Sequence, residues 1–169
     1  MKNSNVKSII VLPLICLIVV ALLAAVNFVT DDIIEKNAMK AQLESLKQVV
    51  PSAEDFDALD LPEGAAETVT GIYEETGGKG YAVTVETSSS YSQNPMTFTL
   101  GISKDGKIIG CTVTNYSETK DFGSYPETFI GKDSSLEGVD VVAGVTYSSE
   151  AFKSAVKDAF AAVEEVAEK

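Results

Sequence analysis

Residues 9–29 form an apolar run interrupted only by Pro13, Cys16 and Asn27. As a helix this run reaches about 31 Å, enough to cross a bilayer core. A secretory signal has a shorter apolar core and small residues at its cleavage site. Leu22 and Leu23 stand where those small residues would be, and Cys16, behind bulky Ile15 in mid-run, does not suit a lipoprotein. The expectation is an uncleaved transmembrane helix. Lys2 and Lys7 lie before it and Asp31, Asp32 and Glu35 after it, which places residues 1–8 in the cytoplasm and the rest outside.

The pattern then changes several times. Over 30–50, Ile34, Ala38, Ala41 and Val49 share a stripe with Lys and Glu between them, and Pro51 follows, so a helix is predicted. Residues 51–67 are acidic, carry Pro51, Pro62 and Gly64, and show no period, which reads as a linker or a loose entry to the domain. Four strands follow at 68–75, 81–87, 96–102 and 107–115. In the second, Tyr81, Val83 and Val85 alternate with Ala82, Thr84 and Glu86; in the third, Met96, Phe98, Leu100 and Ile102 alternate with small or polar residues. Asp105-Gly106 marks a hairpin, after which Ile109, Cys111 and Val113 are expected on one face. Over 148–168, Phe152, Ala155, Val156, Ala159, Phe160, Val163 and Val166 keep helical spacing and need a sheet to pack on. The predicted fold is α+β, a single N-terminal transmembrane helix followed by an antiparallel sheet packed with helices. Its expected divisions are 1–8, 9–29, a helix and linker over 30–66, and a domain over 67–169.

Composition narrows the chemistry. Among 169 residues, 13 Lys oppose 25 acids for a net charge of −12. All the basic residues are Lys, so there is no Arg fork for phosphates or base edges, and nucleic acid is excluded as a partner. His and Trp are absent, and Cys16 and Cys111 stand far apart. His-dependent triads, His-ligated metals and four-thiolate clusters are therefore out of reach, and no metal site is expected. Cys111 reads as a small buried hydrophobe. What remains is chemistry based on hydroxyls, carboxylates, lysines or a cofactor.

Two short motifs have plain explanations. Gly101 to Ile108 nearly spells a phosphate-binding loop but lacks its final Ser or Thr and spans strand, turn and strand. Asn115-Tyr116-Ser117 matches a glycosylation acceptor, with nothing else pointing to a eukaryotic secreted chain. The junction before the last helix is more informative. Val139 to Val142 is apolar, Gly144 permits a tight backbone path, and Thr146, Ser148 and Ser149 crowd a helix N-terminus. Such an end suits an anion, and a Ser capping the helix is the alternative.

The segment Asp140-Val-Val-Ala143-Gly144-Val145-Thr146 resembles the flavinylation motif Asp-x-x-Ser/Thr-Gly-Ala-Thr/Ser of the FMN-binding domain family. Asp140, Gly144 and Thr146 match, while Ala143 and Val145 depart. Asn115-Tyr-Ser-Glu118-Thr119-Lys-Asp-Phe122-Gly123 is similar to the Glu-Thr-Pro-Gly-Leu-Gly region found in two branches of that family. One is the RnfG branch of the Rnf electron transport complex, the other the corresponding flavin-carrying component of sodium-pumping NADH:quinone reductase. Here Lys120 and Asp121 replace the Pro-Gly pair. Phe129-Ile-Gly-Lys132 matches a further stretch. The resemblance implies FMN held through a phosphoester on Thr146, attached by a separate flavin transferase that uses FAD and magnesium. It also implies Gly144, Val145, Tyr147, Ser148, Glu118, Thr119 and Phe122 around the cofactor, with Tyr116 and Tyr125 as stacking candidates.

By that likeness, the chain is expected to be an electron-carrying component of an Rnf-type ion-translocating ferredoxin:NAD oxidoreductase rather than an enzyme by itself, with no catalytic residues of its own. Its expected partners are the other membrane subunits, the transferase and the membrane. A free-standing extracytoplasmic flavoprotein is one alternative. A pseudopilin-like structural protein is another, though the leader Gly and the early Glu typical of pilins are missing around 9–29.

Overall fold

The computed structural model describes residues 14–20, 42–51, 53–92, 94–118 and 120–167. The chain divides into units 1–42 and 43–169. In the first unit, residues 14–20 are helical and exposed. Among the described residues no helix is long and apolar enough to cross a membrane; the span expected at 9–29 lies mostly outside them. The helix expected over 30–50 is described from residue 42 onward, as α1 (42–49).

The second unit is built on five strands: β1 (Phe56–Leu59), β2 (Val69–Glu75), β3 (Gly80–Ser88), β4 (Pro95–Ser103) and β5 (Ile108–Tyr116). They form one antiparallel meander in sequence order. The four predicted strands are present. The acidic stretch expected to be a linker supplies the edge strand β1, whose Phe56 packs towards Val49 and Val50. Two alternating positions in four residues are too short a pattern to stand out among Asp and Pro.

Alternation places two apolar layers on opposite faces of the sheet. On one face Val83, Val85, Met96, Phe98, Leu100 and Ile102 meet α2 (Thr146–Ala167), which buries Phe152, Ala155, Val156, Ala159 and Phe160. Thr68 Oγ1 donates to Asp158 across this interface at 2.7 Å. On the other face Leu46, Val49 and Val50 of the α1 end cover Ala82 and Tyr73. There the paired glycines Gly101 and Gly110 leave room for backbone, since a Cβ on either would fall 2.3 or 2.4 Å from the Val49 carbonyl oxygen.

One strand face is corrected. Gly101 pairs with Gly110 and Ile102 with Ile108, so Ile109 is an extra residue in a bulge. Ile108 therefore points into the core at 1% exposure, and Ile109, expected there, stands at 39%. Past the bulge, Cys111 and Val113 return to the core face as expected.

Between β5 and α2 a long loop carries a 3-10 turn, Tyr125–Phe129. Residues 131 and 132 exchange backbone hydrogen bonds with Ile108, closing the β5 edge. The loop also brings Phe122, Tyr125 and Phe129 around Phe152, with ring centroids 5.5, 5.9 and 5.3 Å from it, while Phe98 stacks on Phe152 at 4.1 Å. This aromatic cluster seats the first turns of α2 and so fixes where the helix begins.

Candidate functional site

α2 begins at Thr146, two residues before the expected start. Thr146 thus lies in the first turn, exposed, while Ser148 and Ser149 are buried inside the helix at 6% and 0%. Neither serine caps the end. Ser149 Oγ instead accepts from the Val142 N–H at 3.1 Å and faces the carbonyls of Val145 and Thr146 at 2.9 and 3.0 Å, tying the turn 142–146 to the helix. The first helical backbone bond runs from the Ser149 N–H to the Val145 carbonyl, 3.0 Å. Val145, just before the helix, offers no side-chain acceptor to the N–H groups ahead of it, and the first turn carries no acid. The positive end of the helix is left electrostatically open. Gly144, at φ 86°, makes the reversal that a Cβ would strain.

A cleft of about 270 Å³ opens at this end. Gly144, Val145, Thr146, Tyr147 and Ser148 form one wall; Glu118 and Lys120 from the loop after β5, and Tyr91 from the loop after β3, form the rest. Tyr91 and Tyr147 are 74% and 58% exposed, so the rim is aromatic and open to solvent.

Six of the eight residues expected around the cofactor, including Thr146 itself, line this cleft. Glu118 accepts a 2.6 Å hydrogen bond from Ser89, which holds it against the β3 end. Phe122 does not reach the cleft: it is buried between Tyr116, 4.3 Å away, and Phe152. Thr119 lies outside the described residues. The two tyrosines considered for stacking have other work. Tyr116 donates to the Lys120 carbonyl at 2.6 Å, and Tyr125, buried in the aromatic cluster, donates to the Ser149 carbonyl at 3.3 Å. Burial raises Tyr116 above the ordinary phenol range, against hydrogen bonding with Ser148 and with help from Glu118 and Asp121. Burial, with the charge of Asp140, pushes Tyr125 up to about 12. Both hydroxyls therefore stay protonated donors at neutral pH and pin the loops that form the cleft.

Sequence reasoning missed Tyr91 and Lys120 as cleft residues. Tyr91 is the one aromatic in a run of Ser, Gln and Asn, and Lys120 stands at a departure from the family pattern; each was a visible signal.

Residues 91–161 match the FMN-binding domain family, a stretch that runs from Tyr91 into α2 and contains every residue lining the cleft. Residues 1–49 match the RnfG N-terminal region. The chain is also similar to the G subunit of the Na(+)-translocating ferredoxin:NAD(+) oxidoreductase complex of Acetobacterium woodii. The two are 30% identical over 145 residues, covering 73% of this chain and 68% of the relative. The chain belongs to the RnfG family of FMN-binding proteins. That membership displaces the pseudopilin reading and makes FMN the cofactor. The residues present fit such a group. The cleft lies just under the ~300 Å³ at which small-molecule pockets begin, so it covers part of a flavin and leaves the remainder exposed between the two rim tyrosines. Its donors, a lysine and an uncapped helix start, suit a phosphate.

Proposed function

We propose that this RnfG-family protein carries FMN as a phosphoester on Thr146 and passes electrons within an Rnf-type complex, as its relative's name describes for that protein. The observation that carries the attachment is the position of Thr146. Its hydroxyl is exposed in the first turn of α2, at a cleft inside the FMN-binding match and at the last position of the flavinylation-like motif. No other hydroxyl on the Ser and Thr side chains of the 146–149 segment is free, because Ser148 and Ser149 are buried. Attachment needs only that the Thr146 oxygen bond to the flavin-side phosphorus of FAD while the pyrophosphate bond breaks. AMP leaves, and the hydroxyl proton goes to solvent. A separate transferase supplies the catalysis, so this chain needs no catalytic residue.

When bound, FMN supplies the redox chemistry; the protein's part is to hold and orient it. Gly144 keeps the turn tight beside the attachment point. Ser149 fixes the turn to the helix, and the Tyr116 hydroxyl fixes the facing loop. Tyr91 and Tyr147 offer apolar faces at the rim without closing it, which leaves the cofactor open to redox partners. A covalent bond suits this open site, because a flavin that merely rested there would be lost where free flavin is scarce.

Membership of a membrane-associated complex agrees with the apolar run 9–29, which we read as a single-pass anchor with residues 1–8 cytoplasmic and the FMN-binding unit outside the cell membrane. The other subunits of the complex and the flavin transferase are the partners this reading requires.

The test is expression of the full chain with an active flavin transferase, followed by denaturing electrophoresis under ultraviolet light. Wild type should give a fluorescent band, Thr146→Val a dark one, and Thr146→Ser a fluorescent one. A dark wild type beside a labelled reference substrate would refute the attachment.

A further inference from the structure

We infer that Lys120 is the positioning residue for the phosphoester, its ammonium pairing with the phosphate and holding the tethered flavin down in the cleft. The inference rests on Thr146 as the attachment point and adds a residue where this chain departs from the family's Pro-Gly pair. Three observations converge on it. Lys120 lines the same cleft as Thr146, and its Nζ stands 3.9 Å from where a Cβ on Gly144 would lie, two residues from the attachment point. Its backbone is held in place, since the Tyr116 hydroxyl binds its carbonyl at 2.6 Å and the Tyr116 ring packs on Phe122. Its charge is available: among the described residues the ammonium makes no hydrogen bond or ion pair.

The carboxylates that could have taken that charge are committed elsewhere. Glu118 accepts from Ser89, and Asp121 Oδ1 accepts from the Gly123 N–H at 3.0 Å in its own turn. On the helix side the first turn brings no acid. Among the described residues Lys120 is the one cation lining the cleft, in a protein of net charge −12 that would otherwise repel an anion there. A phosphodiester carries a single negative charge at all ordinary pH values, so the pairing does not depend on titration of the ligand. A lysine also suits a tether better than a rigid fork, because its flexible stem tolerates small displacements of a point charge.

The experiment uses full chains in detergent, loaded by co-expressed transferase, with flavin stoichiometry read by intact mass. Fluorescence anisotropy of the bound flavin is then followed from low to high salt. In wild type the anisotropy should be high and should fall as salt screens the pair. In Lys120→Gln it should be low from the start, with the salt response lost, and Lys120→Arg should recover both. Lys157→Gln, on an exposed part of α2, should behave as wild type. A fully loaded Lys120→Gln with wild-type anisotropy and wild-type salt response would overturn the assignment while leaving Thr146 untouched. Should Lys120→Gln fail to load, loading of Lys120→Arg supports the charge and its failure counts against it. A bare wild type brings down the Thr146 reading itself, which the mass distinguishes from every result concerning Lys120.

Discussion

Ser149→Ala isolates the tie that places the attachment turn. The Ser149 side chain is fully buried, accepts from Val142 N–H at 3.1 Å, and offers one proton to two carbonyls at 2.9 and 3.0 Å. Its loss removes about two hydrogen bonds and leaves the Val142 N–H, on a half-buried residue, without a partner. A single unsatisfied buried donor costs about 1–3 kcal/mol. Alanine returns about 0.5 kcal/mol through its better helix propensity. The net expectation is a loss of about 1–2 kcal/mol. With a urea slope of about 1–3 kcal/mol/M, that lowers the unfolding midpoint by roughly 0.5–1.5 M. The assay is urea unfolding of the full chain in detergent, followed by far-ultraviolet circular dichroism, with Ser154→Ala on the exposed face of α2 as reference. A second readout is flavin loading, which should fall in Ser149→Ala although Thr146 is intact, because the turn 142–146 is no longer fixed. Coincident midpoints and equal loading in the two variants would show that the buried hydroxyl does not hold the turn.

Two further outcomes follow from the packing and the titration. Gly110→Ala would put a methyl 2.4 Å from the Val49 carbonyl oxygen and 2.7 Å from its Cα, both backbone atoms that cannot rotate away, so α1 must lift at a cost of about 1–3 kcal/mol. Limited proteolysis should then cut faster within 43–55, and an unchanged digestion pattern would contradict the close contact. Burial pushes the Cys111 thiol up to about 12, and Tyr125 reaches about 12 through burial and the charge of Asp140. Between roughly pH 9 and 12 the unfolded chain, with ordinary values near about 8.5 and 10, has released protons that the folded chain retains. Stability should therefore be intact below about pH 9 and decline as pH rises towards 12. Urea midpoints at about pH 8 and 11 test this: the drop should shrink in Cys111→Ser and Tyr125→Phe, and equal midpoints in wild type would refute it.

The parts of the fold legible in the sequence are those where one period decides burial. Tyr81, Val83 and Val85, and Met96 through Ile102, alternate cleanly because one face of each strand meets α2, and the α2 pattern is as plain. Legibility fails where a contact distant in sequence overrides the local period. Ile109 belongs to a bulge set by the pairing of Gly101 with Gly110, and β1 exists because β2 and the end of α1 give Phe56 somewhere to pack. At the site, Thr146 was legible from motif spacing, but the start of its helix was not. Ser148 and Ser149 look like caps in sequence, and only the aromatic cluster around Phe152 draws the first turn back to Thr146 and buries them. Phe122 was assigned to the cofactor by its place in a matching loop, while its packing against Tyr116 and Phe152 makes it part of the support beneath the loop.

The notch formed by Gly101 and Gly110 under the Val49 carbonyl has a mechanical meaning. Side-chain contacts between a helix and a sheet can be repacked by drift in sequence, each swap shifting the axis a little. Here main chain rests directly on main chain, so the angle at which the polypeptide enters the domain past residue 43 is set by atoms that every amino acid shares. Mutation can alter that angle only by filling one of the two empty positions, which leaves the entry geometry nearly indifferent to changes elsewhere on α1.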